Sequence, residues 1–217
     1  MMIKAAIFDF DGTLANTMPD LVTSLNRMRA HFGYAPITER EVLRAVNNAT
    51  PKYVRLCLPE DFDESRMGEA MDAYYAAYAE HYLDKTAPYP GVSALLAKLR
   101  ADGILLAVMS NKDDRNVKEM TEALFPGAFD AAWGTVADVP AKPNPARAFL
   151  IAEDFGVRPE DVAFIGDSDF DMITAGNAGM VPVGVTWGYR DAKTLISGGA
   201  AYLAENADDL YHTIKSI

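Results

Sequence analysis

The stretch IFDFDGT, residues 7–13, places Asp9 and Asp11 one residue apart at the end of an apolar run. Side chains at positions i and i+2 of a strand point to the same side, so the two acids would share one face. The run before them is continuous rather than alternating, which is typical of a parallel strand buried on both faces. The stretch therefore predicts a buried strand that ends in an acidic pair.

Further apolar runs of this kind alternate with amphipathic helical segments along the chain, which predicts an α/β fold. Helix boundaries are marked by Asn144-Pro145 before one segment and by Gly156 and Gly103 after two of them. We expect a Rossmann-like parallel sheet. Its strands are predicted over residues 3–10, 104–109, 129–133, 162–165 and 181–185.

Residues 16–85 interrupt this rhythm, because they contain no predicted strand. Leucine, methionine and phenylalanine recur there at helical spacing, and Thr38 with Glu41 forms a capping box. Four tyrosines between residues 74 and 82 fall on one predicted helix, where such a stripe favours core packing over a ligand site. We therefore expect an α/β core domain over residues 1–15 and 86–217, with an inserted all-helical cap domain over residues 16–85.

The bulk composition narrows the class of protein. The 217 residues carry 31 acidic against 20 basic side chains, a net charge of -11, which disfavours nucleic acid and anionic membranes as partners. Cys57 is the single cysteine, so an internal disulfide is excluded and a zinc site is not indicated. No segment resembles a signal peptide or a membrane span. We expect a cytoplasmic protein, monomeric or homodimeric.

Polar side chains follow several of the predicted strands, at the edge where an open parallel sheet binds ligands. Asp9 and Asp11 follow the first strand, Ser110 the second and Asp167 a later one, while Lys142 lies in a loop between them. Converging carboxylates repel one another unless a cation is present, and all-oxygen ligands favour Mg²⁺. A magnesium ion beside a lysine and a serine hydroxyl indicates a phosphate dianion as ligand.

In this order, the motifs resemble those of the haloacid dehalogenase-like hydrolase superfamily. The resemblance covers essentially the whole chain and is closest to the phosphoglycolate phosphatase-like branch. It is carried by DFDGTLANT at residues 9–17, by Ser110, by Lys142 in KPNP, by GDSDFD at residues 166–171, and by GVTWGY at residues 184–189. A helical cap between the first two motifs is also similar to that branch.

The resemblance implies a Mg²⁺-dependent phosphatase that acts on a small-molecule phosphate monoester. Asp9 would be the nucleophile that forms an aspartyl-phosphate, and Asp11 would be the general acid and then the general base. Lys142 would neutralise charge and hold Asp9. The phosphate-binding set would be Gly12, Ser110, Asn111 and Lys142.

The resemblance also implies a metal site formed by Asp9, the main-chain carbonyl of Asp11, and Asp167, with Asp171 as a further acid outside that set. Relatives often carry a glycine-rich cap stretch that contacts substrate, whereas residues 46–50 here contain no glycine. The substrate therefore stays open among phosphoglycolate, a sugar phosphate, a nucleotide and pyrophosphate.

Three alternatives use related chemistry. A phosphomutase of the same superfamily would share the Asp9 nucleophile, but the sugar mutases tend to begin the fourth motif with Glu-Asp rather than Gly-Asp. A phosphoaspartate signalling receiver would lack an inserted helical segment. A dehalogenase would need neither Mg²⁺ nor Asp11. The motifs favour the phosphatase.

Overall fold

The structure of the protein is a computed structural model that describes residues 2–217. The strands in this range are β1 (Ala5–Phe8), β2 (Ala15–Asn16), β3 (Ala87–Pro88), β4 (Leu105–Asp113), β5 (Ala131–Thr135), β6 (Val162–Gly166), β7 (Val181–Val185) and β8 (Tyr202–Ala204). The helices are α1 (Met18–His31), α2 (Glu39–Ala45), α3 (Thr50–Leu56), α4 (Met67–His81), α5 (Val92–Ala101), α6 (Asp114–Leu124), α7 (Ala146–Asp154), α8 (Asp169–Ala178), α9 (Ala192–Ser197) and α10 (Ala207–Ser216). Two 3₁₀ turns span Glu64–Arg66 and Pro159–Asp161.

Six of the strands form one sheet in the order β5-β4-β1-β6-β7-β8, and every neighbouring pair is parallel. On β1, Ile7 lies opposite Ala107 of β4 and Phe164 of β6. The strand order reverses between β1 and β6, and such a switch point is where open α/β sheets bind ligands. The predicted α/β fold with a parallel sheet is confirmed, and it places the ends of β1 and β6 side by side.

The sheet forms from these residues because its strands are apolar on both faces. All four residues of β1 and all five of β6 are buried. One face packs Ile7, Met109 and Phe164 against Ile151 of α7 and Ala175 of α8. Burial on this scale, at roughly 25 cal/mol per Å² of apolar surface, is the main term that holds the strand ends in place.

Several element boundaries differ from the sequence-based expectation. β1 ends at Phe8 rather than at residue 10, so both acids lie beyond the strand. β4 continues through Asp113, past the apolar run that was expected to end it at Met109. α7 begins at Ala146 with Pro145 as its N-cap, one residue later than an Asn144 cap followed by Pro145 would place it. The edge strand β8 was not predicted, because a three-residue strand with one buried residue carries too little pattern.

The described residues divide into two compact units, 2–15 with Pro88–Ile217, and Asn16–Ala87. The second is the helical unit, in which α1 and α4 pack against each other. The capping box of Thr38 and Glu41 begins α2. Tyr74 and Tyr78 are buried and stack with their ring centroids 5.6 Å apart, as core packing requires. Within residues 2–217, no helix has the length and apolar character that a bilayer crossing demands.

Candidate active site

Five of the sequence-derived candidates are buried in the unit that holds the parallel sheet, where β1, β4 and β6 end. These residues are Asp9, Asp11, Ser110, Lys142 and Asp167. They come from four segments, which follow β1 and β6, form the end of β4 or belong to the KPNP loop, so the shared edge of a parallel sheet is what brings them together.

The carboxylate of Asp9 is held from two sides. Its Oδ1 accepts a hydrogen bond from the main-chain N–H of Phe10, 2.8 Å away, and lies 2.8 Å from the ammonium nitrogen of Lys142. The side chain is 4% exposed, so little solvent competes for these contacts. Asp9 is therefore oriented before any ligand arrives.

Lys142 bridges two carboxylates. Its Nζ lies 2.8 Å from Asp9 Oδ1 and donates to Asp171 Oδ1 at 2.6 Å. The other oxygen of Asp171 accepts from the main-chain N–H and the hydroxyl of Ser168, in the capping box that begins α8. Asp171 thus anchors the lysine and starts a helix, and both of its oxygens have partners.

Asp167 follows β6 and is completely buried. Its Oδ1 accepts from the hydroxyl of Thr13 at 3.2 Å, and its Oδ2 accepts from the main-chain N–H of Tyr189 at 2.6 Å. Gly12 and Gly188 make room for it. A Cβ on Gly12 would lie 2.2 Å from Asp167 Oδ2, and one on Gly188 would lie 2.3 Å from its Cβ. Gly12 also adopts a φ of +83°, which favours glycine.

Burial and mutual repulsion raise the pKa values of two of the clustered carboxyl groups. Burial, reinforced by the charge of Asp171, raises the pKa of Asp9 to about 7 although Lys142 opposes the shift. Burial and the neighbouring charges of Asp9 and Asp171 raise the pKa of Asp167 well above its ordinary value. Burial alone would lower the pKa of Lys142, but Asp171 and Asp9 outweigh it and raise that pKa. One ammonium does not balance the three carboxylates.

The donor set fits a hard divalent cation. Among the described residues, Asp9, Asp167 and Asp171 each offer one carboxylate oxygen, and these oxygens lie within 4.8 Å of one another. Oxygen-only ligands without histidine or cysteine suit Mg²⁺ rather than a softer metal. A bound cation would also relieve the repulsion that raises the pKa values of Asp9 and Asp167.

Ser110 and Asn111 occupy adjacent positions of β4 and face different neighbours. The hydroxyl of Ser110 accepts from the main-chain N–H of Lys112 at 3.2 Å. The carboxamide of Asn111 pairs with the main chain of Lys142, accepting from its N–H at 2.7 Å and donating to its carbonyl at 3.0 Å. Asn111 therefore fixes the loop that carries Lys142.

Asp11 contacts a second lysine. Its Oδ1 lies 2.9 Å from Nζ of Lys112, and the two side chains are 11% and 7% exposed. The apolar end of β1 and the polar end of β4 place these residues together. The sequence contains Lys112 next to two of the candidates, but only the folded sheet reveals the contact with Asp11.

Sequence reasoning also missed Arg147, which is fully buried. Its guanidinium donates to the carbonyls of Ser110 and Gly134 at 2.6 and 2.7 Å and to Asn111 Oδ1 at 2.9 Å. Its position two residues after the KPNP motif is the one signal that could have drawn attention to it. Arg147 ties β4 and β5 to the loop that bears Lys142.

Curated proteins of similar sequence match most of this chain. A phosphoglycolate phosphatase of Chromobacterium violaceum is 31% identical over 219 residues, which cover 99% of this chain and 97% of that protein. A phosphoglycolate phosphatase of Neisseria meningitidis serogroup A is 34% identical over 200 residues, which cover 90% and 85% of the two chains. These relatives therefore span nearly the same length as this chain.

Solved structures are similar over the same extent. A crystal structure from Lactobacillus delbrueckii subsp. bulgaricus, provisionally assigned as a phosphoglycolate phosphatase, superposes with a TM-score of 0.92 at 30% identity and covers 100% of both chains. A haloacid dehalogenase-like hydrolase of Streptococcus pneumoniae shares the fold, with a TM-score of 0.87 at 21% identity over 97% of this chain and 98% of that one.

The family model of the haloacid dehalogenase-like hydrolases matches residues 6–185, which hold Asp9, Asp11, Ser110, Lys142 and Asp167. The match includes the helical segment between the first two motifs. The chain belongs to the haloacid dehalogenase-like hydrolase family.

Proposed function

We propose that the protein is a Mg²⁺-dependent phosphatase that hydrolyses a small-molecule, phosphoglycolate-like phosphate monoester through an aspartyl-phosphate on Asp9. The observation that carries the proposal is the buried pair of Asp9 and Lys142, 2.8 Å apart, beside Asp167 and Ser110. The relatives of about 30% identity that are named phosphoglycolate phosphatases support the same reaction class.

Asp9, Asp167 and the main-chain carbonyl of Asp11 would hold the Mg²⁺ ion. When bound, the ion supplies positive charge that offsets the phosphate dianion and the clustered carboxylates. Asp171 would stay outside the ligand set, as a further acid that binds Lys142 and Ser168. Its task in this scheme is to hold Lys142.

The first half of the reaction uses Asp9 as nucleophile. One carboxylate oxygen attacks phosphorus, and the bond between phosphorus and the ester oxygen breaks. Asp11 gives its proton to that departing oxygen, which leaves as an alcohol. Lys142 and the hydroxyl of Ser110 hold the phosphoryl oxygens, and the fixed position of Asp9 removes the cost of orienting it.

The second half releases inorganic phosphate. A water molecule attacks the phosphorus of the aspartyl-phosphate, and Asp11, now ionised, accepts its proton. The bond between phosphorus and the Asp9 oxygen breaks, which restores the Asp9 carboxylate and a protonated Asp11. The atoms and the proton balance over one turnover, and the net reaction is ester plus water to alcohol plus phosphate.

The test is phosphate release from a panel of metabolite phosphates by the wild type, by Asp9→Asn, and by Asp154→Asn as an exposed carboxylate control on α7. We expect Mg²⁺-dependent release that a chelator stops, and loss of at least about 10³-fold in Asp9→Asn because the nucleophile is gone. Acid-quenched wild type should carry phosphate on Asp9 by mass spectrometry. Full activity in Asp9→Asn would refute the proposal.

The same assay separates the alternatives. Isomerisation of a sugar phosphate stimulated by a sugar bisphosphate, without net phosphate release, would identify a phosphomutase. A long-lived phosphoaspartate without substrate turnover would identify a receiver module. Net, repeated release of phosphate identifies the phosphatase.

A further inference from the structure

We propose that Lys112 is a specificity-determining residue, which binds a carboxylate on the leaving group and so selects phosphate esters of short 2-hydroxy acids. The proposal rests on the proposed phosphatase function and assigns its substrate class. It assigns that selectivity to a strand of the sheet-containing unit.

Lys112 is oriented toward the reacting groups by the strand that carries it. Ser110 and Lys112 lie at the end of β4, where the register with β5 shifts between Met109 and Asp113. The Ser110 hydroxyl accepts from the main-chain N–H of Lys112, and the Lys112 ammonium contacts Asp11. The end of β4 therefore supplies both the phosphate-binding hydroxyl and an ammonium next to Asp11. The Lys112 side chain is only 7% exposed, so this charge is partly withdrawn from water.

The contact with Asp11 locates the ammonium beside the leaving group. In the proposed reaction Asp11 passes its proton to the ester oxygen, so that oxygen lies one hydrogen bond from Asp11. The Lys112 ammonium lies 2.9 Å from Asp11 Oδ1. Two hydrogen bonds in sequence span at most roughly 6 Å, which bounds the separation between ester oxygen and ammonium.

The phosphate ester of a short 2-hydroxy acid can span the distance from Asp11 to the Lys112 ammonium. In a 2-carbon acid, the carboxylate oxygens lie roughly 3 Å from the ester oxygen, the sum of a few bonds. Such a carboxylate can reach the Lys112 ammonium while the ester oxygen stays on Asp11. A leaving group whose anion sits several atoms further along would carry its charge past this lysine.

One ammonium in this structure already binds two carboxylates. Lys142 lies 2.8 Å from Asp9 and 2.6 Å from Asp171 at the same time. An ammonium has three N–H donors, so Lys112 can keep Asp11 and bind the substrate carboxylate together. Binding the substrate then does not require Asp11 to leave its position.

The experiment compares 2-phosphoglycolate with ethyl phosphate, which lacks the carboxylate, in the wild type, Lys112→Met and Lys118→Met. Lys118 is a matched control, because it also pairs with an aspartate of the same unit but is 60% exposed on α6. We expect Lys112→Met to lose about 10- to 100-fold more kcat/KM on phosphoglycolate than on ethyl phosphate, mainly through KM, as for a hydrogen bond to a charged group. Lys118→Met should change neither value by more than about twofold.

An equal loss on both esters would overturn the proposal, because Lys112 would then act only through Asp11. A second measurement needs no variant: with ethyl phosphate as substrate, phosphonoacetate should inhibit the wild type at least about tenfold more tightly than ethylphosphonate. Equal inhibition constants would also overturn it. In both cases wild-type turnover of ethyl phosphate leaves the phosphatase function standing, whereas no turnover of any ester removes that function and this inference with it.

Discussion

Replacing Arg147 with methionine tests whether a buried cation holds together the edge of the sheet where the proposed active site lies. The guanidinium is fully buried and donates three hydrogen bonds of 2.6–2.9 Å, to the carbonyls of Ser110 and Gly134 and to the carboxamide oxygen of Asn111. Methionine preserves much of the apolar volume but donates nothing, so all three acceptors lose this partner at once.

The magnitude follows from those acceptors. Asn111 Oδ1 keeps the main-chain N–H of Lys142, so the cost falls on the carbonyls of Ser110 and Gly134. Each buried acceptor left unsatisfied costs about 1–3 kcal/mol, but the variant is spared the burial of a charge. That spared cost is real, because burial lowers the pKa of Arg147, with Asp9 and Asp114 opposing. We expect a net loss of about 3–5 kcal/mol, the range observed when one partner of a buried charged contact is removed. A domain is stable by only about 5–15 kcal/mol in total, so the change would be large.

The assay is urea unfolding followed by tryptophan fluorescence. Trp133 and Trp187 are the two tryptophans, and both lie in the unit that contains Arg147, so the signal reports that unit. With a slope of about 2 kcal/mol per M, the midpoint should fall by about 1.5–2.5 M. Arg115→Met is the control, since Arg115 is 86% exposed and pairs with Glu119, and we expect a loss under about 1 kcal/mol.

A midpoint within about 0.3 M of the wild type would refute the reasoning, because the bonds of Arg147 would then only compensate for burying it. Arg147→Lys distinguishes charge from geometry. A lysine keeps the charge but cannot serve three separated acceptors with a planar fork, so we expect an intermediate loss.

Three further outcomes are expected. For metal-free protein, the thermal midpoint should fall as pH rises from about 4 to about 7. The pKa of Asp9 is raised to about 7 from an ordinary 3.8, so in this range the folded state holds a proton that the unfolded state releases. Differential scanning calorimetry should also show a larger Mg²⁺ stabilisation at pH 7.5 than at pH 5, and equal stabilisation would contradict the carboxylate assignment. Gly12→Ala should lose both stability and activity, because its Cβ would lie 2.2 Å from Asp167 Oδ2 at a φ of +83°, whereas an unchanged melting curve would disprove this clash. Asp20→Asn should speed amide exchange at residues 85–86, whose N–H groups donate to that carboxylate at 2.8–3.2 Å, and unchanged exchange would show that the contact is dispensable.

Much of the sheet could be predicted, because its central strands are short, continuous apolar runs bounded by glycine or polar residues. The apolar pattern failed to predict strand residues that are polar although they are buried, or that are partly exposed. β4 runs through Ser110, Asn111 and Lys112, where its side chains become polar and its register with β5 shifts, so the apolar pattern ends before the strand does. β8 is a partly exposed edge strand of three residues, too short to carry a periodic signal.

The site also contains residues that the sequence could predict and residues that it could not. The sequence identified Asp9, Asp11 and Asp167 as candidates because acids at apolar strand ends are conspicuous. It could not identify Arg147, because two of its partners are main-chain carbonyls 13 and 37 residues away. Every residue carries such a carbonyl, so the residue types do not indicate the contact. Lys112 was visible in the sequence, but its role depends on which side chain it meets across two strands.

Asp171 couples the formation of α8 to the placement of Lys142. The same carboxylate closes the capping box of α8 with Ser168 and holds the ammonium of Lys142. A molecule in which that helix has not formed therefore cannot present a correctly placed lysine, and the two defects should appear together. Selection on the proposed activity would then preserve a helix start as well, so at this position mutational drift in stability and drift in function are not independent.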